Sequence, residues 1–221
     1  VARILDAVVA AVDVPVTLKT RLGYLNGQEN IMRVAKRAEE AGIAALALHG
    51  RTREDMYLNT ARYTLIKDVK EMLNIPVIAN GDIDSPEKAQ YVLDYTGADA
   101  IMIGRAAQGR PWIFREIAHY LKTGQHLHAP SIAEVKEVLL GHLTELYEFY
   151  GEYSGCRISR KHIAWYTKGL RSSNEFRQSM YQVENTADQY RVVEDYFNTL
   201  LEHGLTMNDV QVEAVNLLQT Q

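Results

Sequence analysis

The sequence is short of several things at once. Among 221 residues it has one cysteine, Cys156, and only five prolines. No apolar run approaches the roughly 18 residues that a membrane span needs, so no membrane partner is expected. A lone cysteine cannot close an internal disulfide, which excludes a disulfide scaffold and fits a reducing, cytoplasmic setting. No charged-then-apolar signal segment opens the chain. Charge of one sign is also missing: 24 basic against 28 acidic residues leave −4, so a polyanionic partner needs a local patch. No metal is expected, because His126 and His128 have no third ligand at a suitable spacing and the cysteine stands apart. A Ser/His/Asp arrangement is likewise absent. What remains, 47% hydrophobic and 24% charged, is the composition of an ordinary globular chain, neither fibrous nor disordered.

Two textures divide the chain near residue 125. Through residue 124, four short apolar runs alternate with amphipathic stretches. The runs are Val14–Leu18, Ala44–Leu48, Pro76–Ala79 and Ala98–Ile103, and they start 22 to 32 residues apart. That is about the length of a βα unit. The intervening patterns predict helices over Gln28–Ala41, Tyr63–Leu73, Ser85–Tyr95 and Pro111–Leu121. Ser85 before Pro86 reads as a helix N-cap, and glycines 42 and 97 read as helix ends. Continuous apolar strands covered by helices predict a parallel α/β sheet, either barrel or doubly wound. From 125 to 221 the strand pattern stops. Helices are expected over about Ser131–Tyr150, Arg157–Leu170, Asn174–Tyr181 and Glu184–His203, with a weaker tail from Asn208. The chain begins with Val1 rather than methionine, inside what reads as a helix, and an upstream segment is expected.

The informative residues stand where each apolar run stops. Alternate strand residues share a face. Val16 and Leu18 therefore face the covering helices, while Thr17, Lys19 and Arg21 point the other way. His49 ends the second run, with Ala45 and Ala47 on its face. Asn80-Gly81-Asp82 ends the third and Gly104-Arg105 the fourth. Each of these alone has a plain structural explanation, such as turn chemistry for Asn-Gly-Asp. Four in succession favour one site at the C-terminal edge of the sheet, where α/β folds bind ligands. Gly81 and Gly104 allow backbone amides to cradle a phosphate, and Arg105 adds a forked cation. Lys19 can place positive charge beside a ring that becomes anionic.

The second half carries a concentrated basic segment. Between Cys156 and Arg177 six basic residues face Glu175 alone, a balance of +5 that leaves −9 for the rest of the chain. At about 100° per residue, Arg157, Arg160, Lys161, Lys168 and Arg171 fall within roughly 60° of one line. Solvated helix faces usually mix signs, and this stripe carries no acid. Phosphate-backbone binding is the favoured reading.

These residues carry a family likeness. Val16-Thr17-Leu18-Lys19-Thr20-Arg21, Leu48-His49-Gly50-Arg51-Thr52, Ile78-Ala79-Asn80-Gly81-Asp82-Ile83 and Met102-Ile103-Gly104-Arg105-Ala106-Ala107 stand in order and spacing. The set resembles the tRNA-dihydrouridine synthases. Gln108–Phe114 and Arg160–Tyr166 look most like the bacterial B-type members. The likeness runs from Val1 to about residue 200. It implies FMN at the C-terminal mouth of an eight-stranded barrel, with Lys19 beside the isoalloxazine and His49 near it. Asn80, Gly81, Asp82, Gly104 and Arg105 then lie around the phosphate and ribityl end. It further implies NADPH as reductant, uridine in tRNA reduced to dihydrouridine by hydride at C6, and a cysteine acid that protonates C5.

On that resemblance residues 1–124 are strands five to eight of a TIM-type (β/α)8 barrel, and 125–221 are a helical tRNA-binding domain. The catalytic cysteine then lies upstream of Val1, and roughly the first hundred residues of a barrel of ordinary size are missing. Cys156 matches no catalytic motif and is expected to be a packing residue, so the chain alone is expected to be inactive. Arg160-Lys161-His162 is the clamp motif, joined by Arg157, Lys168 and Arg171, while Arg21 and Arg51 hold the turned-out uridine. Two alternatives stay open: an RNA-binding module without catalysis, and another FMN barrel of the dihydroorotate dehydrogenase type.

Overall fold

Each short apolar run becomes a strand, and each amphipathic stretch after it becomes a helix. The computed structural model describes residues 1–56 and 58–204. They form two units: Val1–Ala107 with Trp112–His126, and Gln108–Pro111 with the chain from Leu127 onward.

The first unit runs α1 (Ala2–Ala11), β1 (Thr17–Arg21), α2 (Ile31–Glu40), β2 (Ala45–His49), α3 (Tyr63–Met72), β3 (Val77–Asn80), α4 (Pro86–Thr96) and β4 (Ala100–Met102). A 3-10 turn at Arg105–Ala107 and α5 (Ile113–Thr123) complete it. The sheet is wholly parallel, in the order β1-β2-β3-β4. Leu46, Leu48, Val77 and Ala79 on one face are buried under the helices, with Val16, Leu18 and Ile101 packed against them. The opposite face carries Lys19, Arg21, Ala45, Ala47, His49, Ile78 and Asn80, as strand alternation requires. Ser85 caps α4 by accepting the Lys88 amide at 3.1 Å, with Pro86 in the first turn. α2 starts three residues later than the periodicity suggests. Glu29 accepts the Gly27 amide, and the Asn30 amide turns back to the Leu22 carbonyl.

The second unit is helical: α6 (Ile132–Tyr166), α7 (Ser173–Met180) and α8 (Thr186–Glu202). A capping box of Ser131 and Glu134 starts α6, and the Asn185 side chain caps α8 by accepting the Asp188 amide. The core joins Leu139, Leu143, Ile163, Met180, Val193 and Phe197, all fully buried. The two stretches expected as separate helices are two helices that meet at a kink within α6, at Gly151, whose φ of 72° and ψ of 177° interrupt the ladder. That element stops at Tyr166, earlier than the Leu170 expected from periodicity, and Gly169 follows with φ +82°.

The sequence places the boundary near residue 125; in the structure the strand unit runs to His126, and Gln108–Pro111 clusters with the helical unit. Gly109 is the reason. It has a φ of +72°, and a Cβ there would lie 2.5 Å from the Trp165 carbonyl carbon. The tail expected from Asn208 lies outside the described residues. Among the described residues no helix is long and apolar enough to cross a membrane. No group of three or more histidine, cysteine or carboxylate residues there is placed to hold a metal ion.

Candidate functional site

Strand register brings the polar strand ends onto one rung. Arg21 pairs with His49, His49 with Asn80, and Asn80 with Met102. Beyond this rung opens a cavity of about 560 Å³, lined by Lys19, Arg21, His49 and Asn80 and by the loop residues Gly81, Asp82, Gly104 and Arg105. All seven positions expected around a flavin therefore lie on one cavity, together with Arg21.

The side chains are tied to one another. Lys19 Nζ donates to Asn80 Oδ1 at 3.0 Å, reaching across β2, where Ala47 presents only a methyl group. Asn80 Nδ2 donates to the Met102 carbonyl at 2.8 Å, which fixes the direction of its amide. Burial, and then the neighbouring Arg21 charge, hold the Lys19 ammonium below its ordinary pKa.

His49 is 7% exposed. Burial first, then the charges of Arg21, Lys19 and Arg51, push its pKa down to about 4 against an opposing pull from Asp82. The ring is neutral at pH 7. Arg51 Nη1 lies 3.3 Å from His49 Nε2. Arginine can only donate, so Nε2 accepts and the ring proton belongs on Nδ1.

Arg51 itself was expected to hold the uridine, and the structure buries it. It is 3% exposed. Its Nε donates to the Asn59 carbonyl at 2.6 Å and its Nη2 to Asp82 Oδ2 at 2.7 Å. A guanidinium so used holds its neighbours in place. Arg21 stays on the cavity wall, with Nη1 donating to the Thr52 carbonyl at 2.9 Å.

Asp82 is the hub. It accepts Arg51 and the Ala61 amide on Oδ2 and Arg105 on Oδ1, the last at 3.2 Å. Burial raises the Asp82 pKa, but these hydrogen bonds and the Arg51 and Arg105 charges outweigh it, and the carboxyl sits below its ordinary value. Gly81 and Gly104 differ in what they do. At Gly81, φ is +122° and a Cβ would lie 2.8 Å from Ala61 Cβ and 2.9 Å from His49 Cδ2. Glycine is demanded there by packing. At Gly104 a Cβ would meet nothing within 4 Å, which leaves the backbone open to a ligand.

A knot behind the site escaped the sequence reading. Asp55 accepts from Asn59 Nδ2, the Thr52 amide, Asn26 Nδ2 and the Thr52 hydroxyl, and these hold it far below its ordinary pKa despite burial. The Asp55 amide donates back to Thr52 Oγ1 at 3.2 Å. The signal was present: Thr-x-x-Asp is the spacing of a reciprocal capping motif.

In the helical unit the expected clamp residues separate. Arg157, Lys161, Lys168 and Arg171 are exposed. Lys168 and Arg171 lie past the end of α6, so the helical line drawn through them does not exist. Arg160 is half-buried: its Nη2 donates to the Val183 carbonyl at 2.8 Å, and its Nε is buried with no hydrogen-bond partner. His162 is half-buried between His142 and Trp165, at 4.8 and 5.0 Å between ring centroids. Neither is fully exposed, unlike the other four. Cys156 is buried, its thiol pushed up chiefly by burial and directed at the Val183 carbonyl.

A family model described as Dihydrouridine synthase (Dus) matches residues 1–201. The chain is 57% identical over 200 residues to "tRNA-dihydrouridine synthase B" of Shewanella oneidensis, covering 90% of this chain and 62% of that protein. It is 57% identical over 197 residues to the protein of that name from Pseudomonas aeruginosa, covering 89% and 59%. With the one from Pseudomonas syringae pv. tomato it shares 54% over 211 residues, covering 96% and 63%. The chain thus spans about three-fifths of the length of these relatives. On the match to the family model and these identities, the chain belongs to the dihydrouridine synthase family.

Proposed function

We propose that the strand unit carries the FMN site of a tRNA-dihydrouridine synthase and that the helical unit binds its tRNA. The four strands correspond, on this reading, to strands five to eight of a (β/α)8 barrel. A cytoplasmic setting goes with such a substrate. The observation that carries the proposal is the convergence of Lys19, His49, Asn80 and Arg105 on one cavity at the strand ends. The donor set fits a flavin mononucleotide. Arg105 and the unobstructed backbone at Gly104 suit a phosphate, and the charges of Lys19 and Arg21, which add to burial in lowering the His49 pKa, favour an anion.

When bound, FMN would supply the hydride chemistry, accepting hydride from NADPH and delivering it to C6 of uridine. The rest falls to the chain. Lys19, aimed by Asn80, holds positive charge over the cavity. His49 is neutral on the cavity wall, with Arg51 at its Nε2. Asp82 holds Arg51 and Arg105 in place. Arg21 is the cavity-lining cation suited to the substrate phosphate. Cys156 is buried against the Val183 carbonyl and is not offered as the acid for C5. That observation favours one second reading, RNA binding without catalysis, for these 221 residues by themselves.

Titration with FMN and with riboflavin tests the site. The purified chain is expected to bind FMN about tenfold or more tightly than riboflavin, a preference that Arg105→Ala removes. Equal affinity for both would overturn the phosphate assignment. Incubated with NADPH and unmodified tRNA, the same chain is expected to form no dihydrouridine.

A further inference from the structure

Three aromatic side chains at the break in α6 are turned to solvent. Phe149 is 81% exposed, Tyr150 46% and Tyr153 68%. The other large aromatics of this unit's core, Tyr166, Phe176 and Phe197, are buried, so these three do not serve the core. Nor is the break a frayed end. Gly151 adopts its left-handed φ, and four residues later Gly155 packs so closely that a Cβ would lie 3.2 Å from Tyr147 Cα. The bend is tightly built and presents Phe149 to Tyr153 outward.

The rings come with cations. Phe149 and Tyr150 meet edge to face, 4.8 Å between centroids. The Arg157 guanidinium lies over Tyr153, with Cζ 3.7 Å from the ring centroid. Lys161, one turn further on, is exposed. Glu152 lies within the stretch, but its carboxylate caps α8 by accepting the Thr186 amide at 2.8 Å and the Thr186 hydroxyl at 2.6 Å. Glu145 and Glu148 lie on the arm before the break, which puts the cationic side at Arg157 and Lys161.

Exposed rings with a stacked guanidinium, followed by a further cation, match what single-stranded nucleic acid requires. Ring faces stack any base, and cations hold the adjoining phosphates. We infer that Phe149, Tyr150, Tyr153 and Arg157 form a stacking platform for an unpaired base of the bound tRNA. This rests on the tRNA reading above and adds a contact that its basic residues do not supply.

Stacking and phosphate pairing separate by salt, because only the second releases counterions. Fluorescence anisotropy with an unmodified tRNA transcript, at several salt concentrations, reads both. The double variant Phe149→Ser with Tyr153→Ser is expected to bind about 10- to 100-fold more weakly at every salt, with an unchanged salt slope. The aromatic exchange Phe149→Tyr with Tyr153→Phe should bind like the parent. If the serine variant binds tRNA as well as the parent, the platform is overturned and the tRNA reading stands. If the parent itself does not bind tRNA, both fall. Phe149→Gln alone, at the most exposed ring, gives the same reading should the double variant melt early.

Discussion

The strand unit and the helical unit hold their positive charge in opposite ways. At the strand ends, Arg51 is 3% exposed and committed to Asp82, His49 and a loop carbonyl. In the helical unit Arg157, Lys161, Lys168 and Arg171 stand in solvent. The first arrangement builds a fixed field around a small cavity, where a few tenths of an ångström matter. The second leaves exposed charges over a surface, suited to a large polyanion. Substitutions should therefore cost folding in one unit and salt-dependent affinity in the other.

Arg51 gives the largest contrast. Arg51→Leu leaves the Asp82 carboxylate without its main partner and removes the acceptor restraint on His49. A loss of about 3 to 5 kcal/mol is expected, the range for breaking a buried ion pair from one side. Arg51→Lys should recover little, because an ammonium cannot reach Asn59, His49 and Asp82 together. Urea unfolding of the three proteins measures this. A variant within about 0.5 kcal/mol of the parent, the range for a surface change, would mean that the strand unit tolerates charge loss as the helical unit does.

His49 should give an effect nearly as large, visible as a pH dependence. Its pKa is about 4 in the fold, below the ordinary 6.5. The unfolded chain therefore binds the extra proton first. The contribution of a neutral His49 is complete above about pH 6.5 and is lost progressively as pH falls to about 4. The span amounts to about 3 kcal/mol at most. His49→Gln should flatten the stability profile across that window while the carboxylates of the unit titrate as before. An unchanged slope between pH 6.5 and 4 would show that His49 is protonated without strain among Arg21, Lys19 and Arg51.

How far each unit was readable follows from the same contrast. A strand has a period of two and lasts about five residues, so an error of phase has little length in which to grow. The side of the sheet taken by Lys19, His49 and Asn80 was therefore legible, and parallel pairing then fixed them on neighbouring rungs. Family resemblance, not spacing, supplied the flavin. What stayed hidden was depth. Nothing local announces that Arg51 turns inward, because Asp82 is 31 residues away and Asn59 contributes only a carbonyl. A helix accumulates phase over many residues, and the line through Lys168 and Arg171 assumed turns that α6 does not make beyond Tyr166.

The smallest effect is also the one that separates two adjacent residues. Arg160 and Lys161 read as a pair in sequence, yet Arg160 donates inward to the Val183 carbonyl and Lys161 is exposed. Arg160→Ala should cost about 1 kcal/mol of stability, the net worth of one such hydrogen bond. The loss is kept small because the buried Arg160 Nε has no partner to lose. Its tRNA affinity should keep the parental salt slope. Lys161→Ala should do the reverse. Stability stays within about 0.5 kcal/mol, while the slope of log affinity against log salt falls by about 0.7 to 0.9, the loss of one phosphate contact. Paired measurements of melting and salt slope on these two variants decide between the two arrangements. Equal slopes lost in both would restore Arg160 to the exposed stripe and make the Val183 contact a resting position that RNA displaces.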